Sequence, residues 1–593
     1  LHSLRRRQRQ MCIRDSMKLS TIKYIAVAML LGLSITSCED FLDRPAEDSY
    51  NDSNYYQNDE QCKAGVLSLY NVPWYDFLSR GFYKIPEVMA GNIYMGGSPY
   101  LSLNVNGSDP DIKSTSESLW AVNAQANVIY NRLKSANASE TVKSACMGEC
   151  LAWKAMAYFY LVRIFGEVPI VHDNSSEIGD GSYNDKYKVQ KNDLYEYIVM
   201  TLEKAIELLP ERNDPGRIDK WGAKGLLAKV YLTKSGVEAG GNGQRNVDDL
   251  GSAARYAKDV IDNSGKQLMT NYEDIFKGEN NNCVESLFGW RWSAEQMVYT
   301  CGNCLTSELA MSGFDIYSSW GDWTAPSTDL QDAFEVSPLG NPTQRINPDA
   351  RRKATMMMPG DKYSYWWQDK GGFDYLQFLY DKSYAPGSNV GLSSATGANI
   401  AKHLYGNNED HKKTFGIAAE QQTSSLSTHV LRLADVYLVY AEAVIGNAAS
   451  TTDASAIDAF YTVRHRAISS YERPVSITLD DVLKERRLEL AFEGDYWFDF
   501  VRMSYYNMDK AIQTLQNQRR NGYYGLGGLY KAYYEDPTQW VVNPEEMLYE
   551  TDTAKPNVTA SVFTLPLPSD DVVFNPHLME DAQHVDVRAT FSY

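Results

Sequence analysis

Four segments in which apolar residues return every three to five positions place the tightest constraint on what this chain can fold into. Thr141–Phe165 carries Cys146, Leu151, Ala155, Tyr158, Val162 and Phe165 on one side. That spacing predicts an amphipathic helix, and Gly166 and Pro169 stop it. Asp193–Leu209 repeats the pattern with Leu194, Ile198, Leu202, Ala205 and Leu209, and Pro210 follows. Lys220–Lys234 is rich in small residues (Ala223, Gly225, Ala228) that allow a neighbour to come close, and Asp249–Asn263 is a fourth helix. A strand would instead alternate with a period of two.

The four segments form two helix–turn–helix pairs with Ala and Gly at the contact positions. They resemble tetratricopeptide stacking, with spacing less regular than the repeat of about 34 residues. Later in the chain Val430, Ala434, Tyr437, Ala441 and Val444 predict one helix and Ala456–Ala467 its partner. Asp480–Met503 reads as one long helix, and Met508–Gln518 follows it. Between Lys266 and Ser427 the periodicity fades, and Gly, Pro, Asn, Ser and aromatics dominate, with a short strand at Leu287–Trp292. Disordered segments are poor in aromatics, yet this one holds Trp290, Trp292, Trp320, Trp323, Trp366 and Trp367. The reading is therefore ordered loops with a function. A similar loop lies between Trp74 and Tyr100, while Trp74 and Trp120 fall at helical apolar positions and read as core. The expected class is mainly α: a single domain over 38–593, with a helical scaffold at about 38–265 and 428–593 and a loop-rich insert at about 266–427.

Near the start, Lys18 and Lys23 precede the apolar run Tyr24–Ile35, which ends in Ser34-Ile35-Thr36-Ser37-Cys38. That order is expected of a bacterial lipoprotein signal, 17–37, cleaved before Cys38, the predicted lipid attachment site. Two or more acyl chains anchor a protein stably where one does not. Residues 1–16 are basic and precede Met17, so they read as a non-native leader. A formal net charge of −19 argues against nucleic acid, which needs clustered Lys and Arg. Cys301-Gly-Asn-Cys304 has redox spacing without a βαβ pattern, so in an oxidising compartment a loop disulfide is expected. Cys146 and Cys150, one helical turn apart, read as packed small residues.

Two constellations bear on chemistry. Glu485, Glu489 and Glu493 line one helix face, as a glycosidase pair would require. However, Arg486 and Arg487 are interleaved, and Leu483, Leu490, Trp497 and Val501 form a packing side, so structural ion pairs are the reading. No H-E-x-x-H, G-x-S-x-G, Walker loop or dinucleotide fingerprint stands in its required context, and no EF-hand spacing supports calcium. No cofactor is expected. The second constellation is aromatic. The chain carries 41 Tyr, 19 Phe and 12 Trp. A pyranose ring lays its C–H face on an aromatic face while its hydroxyls seek Asn, Asp and Arg. Tyr317, Trp320, Asp322 and Trp323 are the first candidate contacts, with Asn92, Tyr94 and Tyr100 from the earlier loop facing them, and Trp366 and Trp367 form a second platform.

Glu485-Arg-Arg-Leu-Glu-Leu-Ala-Phe-Glu-Gly494, continuing Asp495-Tyr-Trp-Phe-Asp499 to Arg502, resembles the C-terminal signature of SusD/RagB-type outer-membrane lipoproteins. Cys38-Glu-Asp-Phe-Leu-Asp43, Leu151–Phe165 with Gly166-Glu-Val-Pro-Ile170, Trp221–Leu232, Asp349-Ala-Arg351, Leu431–Ala443 and Leu565-Pro-Leu-Pro568 with Asn575-Pro576 resemble its other blocks, in order. Tyr496 stands where that family usually has Arg, and the residues after Pro576 lack its usual Gln-Asn ending. The resemblance implies four tetratricopeptide-like helix pairs carrying a ligand region, on the outer leaflet of an outer membrane. It also implies a TonB-dependent β-barrel transporter as partner, over which the protein acts as a lid, and glycan capture without catalysis. The same architecture binding peptides or glycopeptides is an alternative; a surface glycan hydrolase and a pure tetratricopeptide adaptor are alternatives from other classes.

Overall fold

Ser139 opens the central helix by accepting from Val142 N, and Gly166, at φ 72°, closes it by donating to Val162 O. This helix, Glu140–Phe165, is buried along nearly its whole second half. It has neighbours on both sides, Pro110–Lys134 and Lys191–Leu208. In the computed structural model the described residues are 55–174, 185–241, 243–295, 299–316, 320–345, 347–388, 391–420, 422–543, 545–547 and 555–593. Cys38, the signal, the leader and Tyr317 lie outside them.

The scaffold is a succession of neighbouring helices. Lys191–Leu208 packs on Lys220–Lys234, which packs on Val247–Asn263, which packs on Leu433–Ile445. Leu433–Ile445 then contacts Ala454–Ala467 and Leu479–Leu490, so the late pairs continue the early stack. The small residues act as expected. A Cβ on Gly222 would lie 2.5 Å from Leu287 O, and one on Gly225 3.2 Å from Leu431 Cδ2 and Val436 Cγ2. They admit both a helix and the antiparallel strand pair Ser286–Trp290 with Thr428–Arg432. At the end of the chain, Tyr593 Oη donates to Tyr197 Oη at 3.2 Å and ties the last residues to the stack. Among the described residues, no helix is long and apolar enough to cross a membrane.

Five expectations are corrected. Val430 lies in the strand Thr428–Arg432, and the helix begins at Leu433. Asp480–Met503 is not one helix but two, Leu479–Leu490 and Tyr496–Tyr506. The break has a long-range cause. Phe492 and Gly494 sit at positive φ, Gly494 N donates to Glu87 Oε1 at 2.8 Å, and a Cβ on Gly494 would meet the Phe82 ring at 2.2 Å. Trp74–Tyr100 is largely buried helical turns with wide i→i+5 bonds, Phe82 N to Phe77 O and Val88 N to Tyr83 O, rather than an open loop. Finally, Cys301 and Cys304 are buried free thiols, not a disulfide. Cys146 and Cys150 are buried, and Trp74 is core, but Trp120 is only half-buried.

The middle of the chain has its own core. Phe314, Trp366, Trp367, Phe373, Tyr375 and Phe378 cluster with Leu526, Leu529 and Tyr530 from the later helix Leu526–Glu535. Trp366 stacks on Tyr363 with centroids 4.4 Å apart, and Trp367 Nε1 donates to Phe314 O at 3.1 Å.

Candidate functional site

The clustered carboxylates of Glu485, Glu489 and Glu493 are all engaged. Glu485 takes Arg351 and Arg464, each at 2.5 Å; Glu489 takes Arg351 at 3.2 Å, Arg432 at 3.0 Å and Arg466 at 2.5 Å; Glu493 takes Arg432 at 2.7 Å and Lys402 at 2.9 Å. Arg432 also holds Glu285. Burial works against ionisation of Glu489, but Arg466, Arg432 and Arg351 outweigh it and hold the carboxyl down at about 2. A group kept ionised and covered by guanidinium on every side neither donates a proton nor meets a substrate. Its role is mechanical: Glu285, Arg351 and Lys402 belong to the middle of the chain and pair with Arg432, Arg466, Glu485, Glu489 and Glu493 of the scaffold, so the network fastens that region to the scaffold.

The aromatic candidates separate by exposure. Trp323 is 69% exposed and Trp320 38% exposed. Asp322, between them, is half-buried and accepts from Ser312 N at 3.2 Å and Ser393 Oγ at 2.8 Å, which fixes the turn that presents both rings. The strand pair Ile93–Tyr94 with Ala325–Pro326 does bring the early loop to this turn. Its side chains are nevertheless occupied. Asn92 is fully buried, donating to Glu87 Oε2 at 2.9 Å and accepting from Arg487 Nε at 2.9 Å. Tyr100 is buried and donates to Asp109 Oδ1, the cap of Pro110–Lys134, at 2.9 Å. Tyr94 is buried, and Trp366 and Trp367 are in the second core. Asn92, Tyr94, Tyr100 and Trp366 are structural, a correction to their reading as a sugar platform, whereas Trp367, though it packs in the second core, also lines a cleft.

Of the residues named from the sequence, only Trp367 lines a cleft of about 340 Å³ at the start of the same loop, whose other walls, Asp315, Ile316, Asp369, Lys370, Asn407 and Asn408, sequence reasoning missed. Gly313, at φ 83°, lets the loop cross Gly387 so closely that a Cβ would lie 2.3 Å from its carbonyl carbon. Asp315 accepts from Asn408 N at 3.0 Å, and burial raises its carboxyl from the usual range against the lowering hydrogen bond from Tyr405. Asn407 Nδ2 donates to Asp369 Oδ1 at 2.7 Å, and Lys370 Nζ sits 4.2 Å from the Trp367 ring centre. Ile316 is 73% exposed at the rim. The one available signal was the polar run Asn407-Asn408-Glu409-Asp410, which also caps the helix Asn408–Phe415. Amides, carboxylates and an ammonium lining one cleft suit a ligand with many hydroxyls.

Residues 304–583 match the family model described as the SusD family, and residues 109–232 match one described as starch-binding associating with outer membrane. A SusD-like protein of Bacteroides ovatus is 33% identical over 576 residues, 94% of this chain and 97% of that protein. The chain belongs to the SusD family. Among solved structures, one described as a complex with xylogluco-oligosaccharide superposes with a TM-score of 0.74 at 31% identity, over 90% of this chain and 100% of that one. A SusD-like carbohydrate binding protein of Bacteroides fragilis superposes with a TM-score of 0.66 at 20% identity, over 88% and 99%. The fold is thus the helical, tetratricopeptide-like SusD fold, with a loop-rich region mounted on it. The SusD-family match 304–583 takes in the exposed turn at Trp320–Trp323, the polar cleft and most of the buried ion-pair network.

Proposed function

We propose that this SusD-family protein captures oligosaccharide at the cell surface and hands it to a TonB-dependent β-barrel transporter. The supporting observations are the exposed pair Trp320 and Trp323, on a turn that Asp322 ties to Ser312, and the polar cleft of Asp315, Asp369 and Asn407, which Gly313, next in sequence to Ser312, also lines. A sugar ring stacks on the Trp323 indole, and the cleft takes the hydroxyls of adjoining units. Cys38 carries the lipid that holds the body at the outer membrane. The protein binds without cleaving, since the clustered glutamates are spent on arginines. A xylogluco-oligosaccharide is the first ligand to test, because a structure 31% identical to this chain is described with one.

The test is calorimetric titration of a panel of oligosaccharides into the protein and its Trp320→Ala and Trp323→Ala variants. Trp323→Ala is expected to weaken the best ligand by about 2 kcal/mol. An unchanged affinity in both variants, or product release from the oligosaccharide, contradicts the proposal. Cys38→Ala is expected to move the protein out of the membrane fraction.

A further inference from the structure

A second cleft, of about 370 Å³, opens on the helical scaffold among Leu479–Leu490, Tyr496–Tyr506 and Met508–Gln516. Both of the first two helices face it at i, i+3, i+4, i+7 spacing: Asp480 to Arg487 on one, Tyr496 to Met503 on the other. The break at Phe492–Gly494 is what turns the second helix so that both faces line one space. The apolar lining comes from Leu483, Phe500, Met503 and the Tyr496 ring, which meets Phe500 edge-on at 4.9 Å. The volume is in the range that holds a small molecule.

The polar groups give the cleft a sign. Its two acids are already neutralised: Asp480 by Lys510, and Asp499 by Arg486 at 3.1 Å and Arg502 at 2.9 Å. Its cations are not fully used. Arg487 gives Nη1 to Asp329 at 2.7 Å and Nε to Asn92 at 2.9 Å, while its buried Nη2 has no hydrogen-bond partner. Lys484, half-exposed, makes a long 3.7 Å contact to Glu335, whose side chain is 81% exposed. Unpartnered buried donors are rare and costly, and one beside an under-used ammonium points to an anion.

We propose that this cleft is a second binding site, separate from the sugar face, for a small amphiphilic anion: an aromatic or short aliphatic body ending in one carboxylate. The body lies on Phe500, Met503 and Leu483, and the carboxylate accepts from Arg487 Nη2 and Lys484 Nζ.

The experiment titrates 4-phenylbutyrate, 4-phenylbutanol and 4-phenylbutylamine into the whole protein by calorimetry, with saturation-transfer NMR to confirm contact. The acid is expected to bind about tenfold more tightly than the alcohol, and the amine more weakly still. Two substitutions on accessible side chains separate the contributions. Lys484→Glu is expected to weaken the acid about tenfold and leave the alcohol and any oligosaccharide titration unchanged. Thr514→Trp, at the cleft wall, is expected to block acid and alcohol alike. Failure of the acid to bind, equal affinity for acid and alcohol, or acid binding unchanged by both variants overturns the proposal. Because the oligosaccharide titration is read in the same samples, this site and the sugar face fail or stand independently.

Discussion

The helical scaffold and the loop-rich middle are held by different physics. In the scaffold, apolar helix faces meet through small residues such as Gly222 and Gly225, and most backbone groups bond within their own helix. In the middle, strands are two to five residues long, and order comes from the Arg–Glu network below and an aromatic core within. The comparison teaches how irregular loops can present a rigid indole. They are anchored at depth by charge, filled by Trp366 and Trp367, and left with Trp320 and Trp323 at the surface.

The hardest blow to this division is Arg432→Met, which strips Glu285, Glu489 and Glu493 of a shared guanidinium. It is expected to cost about 4–5 kcal/mol or to prevent folding, read by urea unfolding. If three buried carboxylates lose that partner and stability hardly moves, the network is not the anchor. Trp366→Ala is next, at about 3–4 kcal/mol, against a change within about 0.5 kcal/mol for Trp323→Ala. Equal losses from the two would erase the distinction between filling and presenting rings.

The pH response sharpens the same contrast. At Glu442, burial is outweighed by Arg502 and Arg245, and the carboxyl is held at about 2, below its ordinary 4.5. Its contribution is therefore complete above pH 4.5 and is lost as pH falls toward 2, by about 3 kcal/mol. Glu87 is the opposite case: burial without an ion pair pushes it up to about 7 despite hydrogen bonds from Asn92 and Gly494. Its stabilisation is greatest below pH 4.5 and is lost as pH rises toward 7. Glu87→Gln should flatten that limb of the stability curve and Glu442→Gln the acid limb; a curve unchanged by either contradicts the assignment. Gly222→Ala is expected to cost about 2 kcal/mol, through the clash with Leu287 O.

Much of the scaffold was legible in the sequence because helical periodicity and small-residue contacts are local signals. The break at Phe492–Gly494 was not, because its causes, Phe82 and Glu87, lie some four hundred positions away. The sugar face was half legible. Aromatic loops could be named, but nothing local distinguishes Trp366-Trp367, packed against Phe314 and Phe373, from Trp320 and Trp323, which stay exposed. Asp315, Asp369 and Asn407 were missed because they converge only when the Gly313–Gly387 crossing forms. The Cys301–Cys304 spacing suggested a bond that the fold leaves as two buried thiols.

A crystal structure of the protein soaked with a xylogluco-oligosaccharide tests the central claim most directly. The account predicts a sugar ring lying flat within about 4 Å of the Trp323 indole, with its neighbours reaching the Asp315–Asn407 cleft. Sugar bound elsewhere on the molecule, with Trp320 and Trp323 bare, would contradict it.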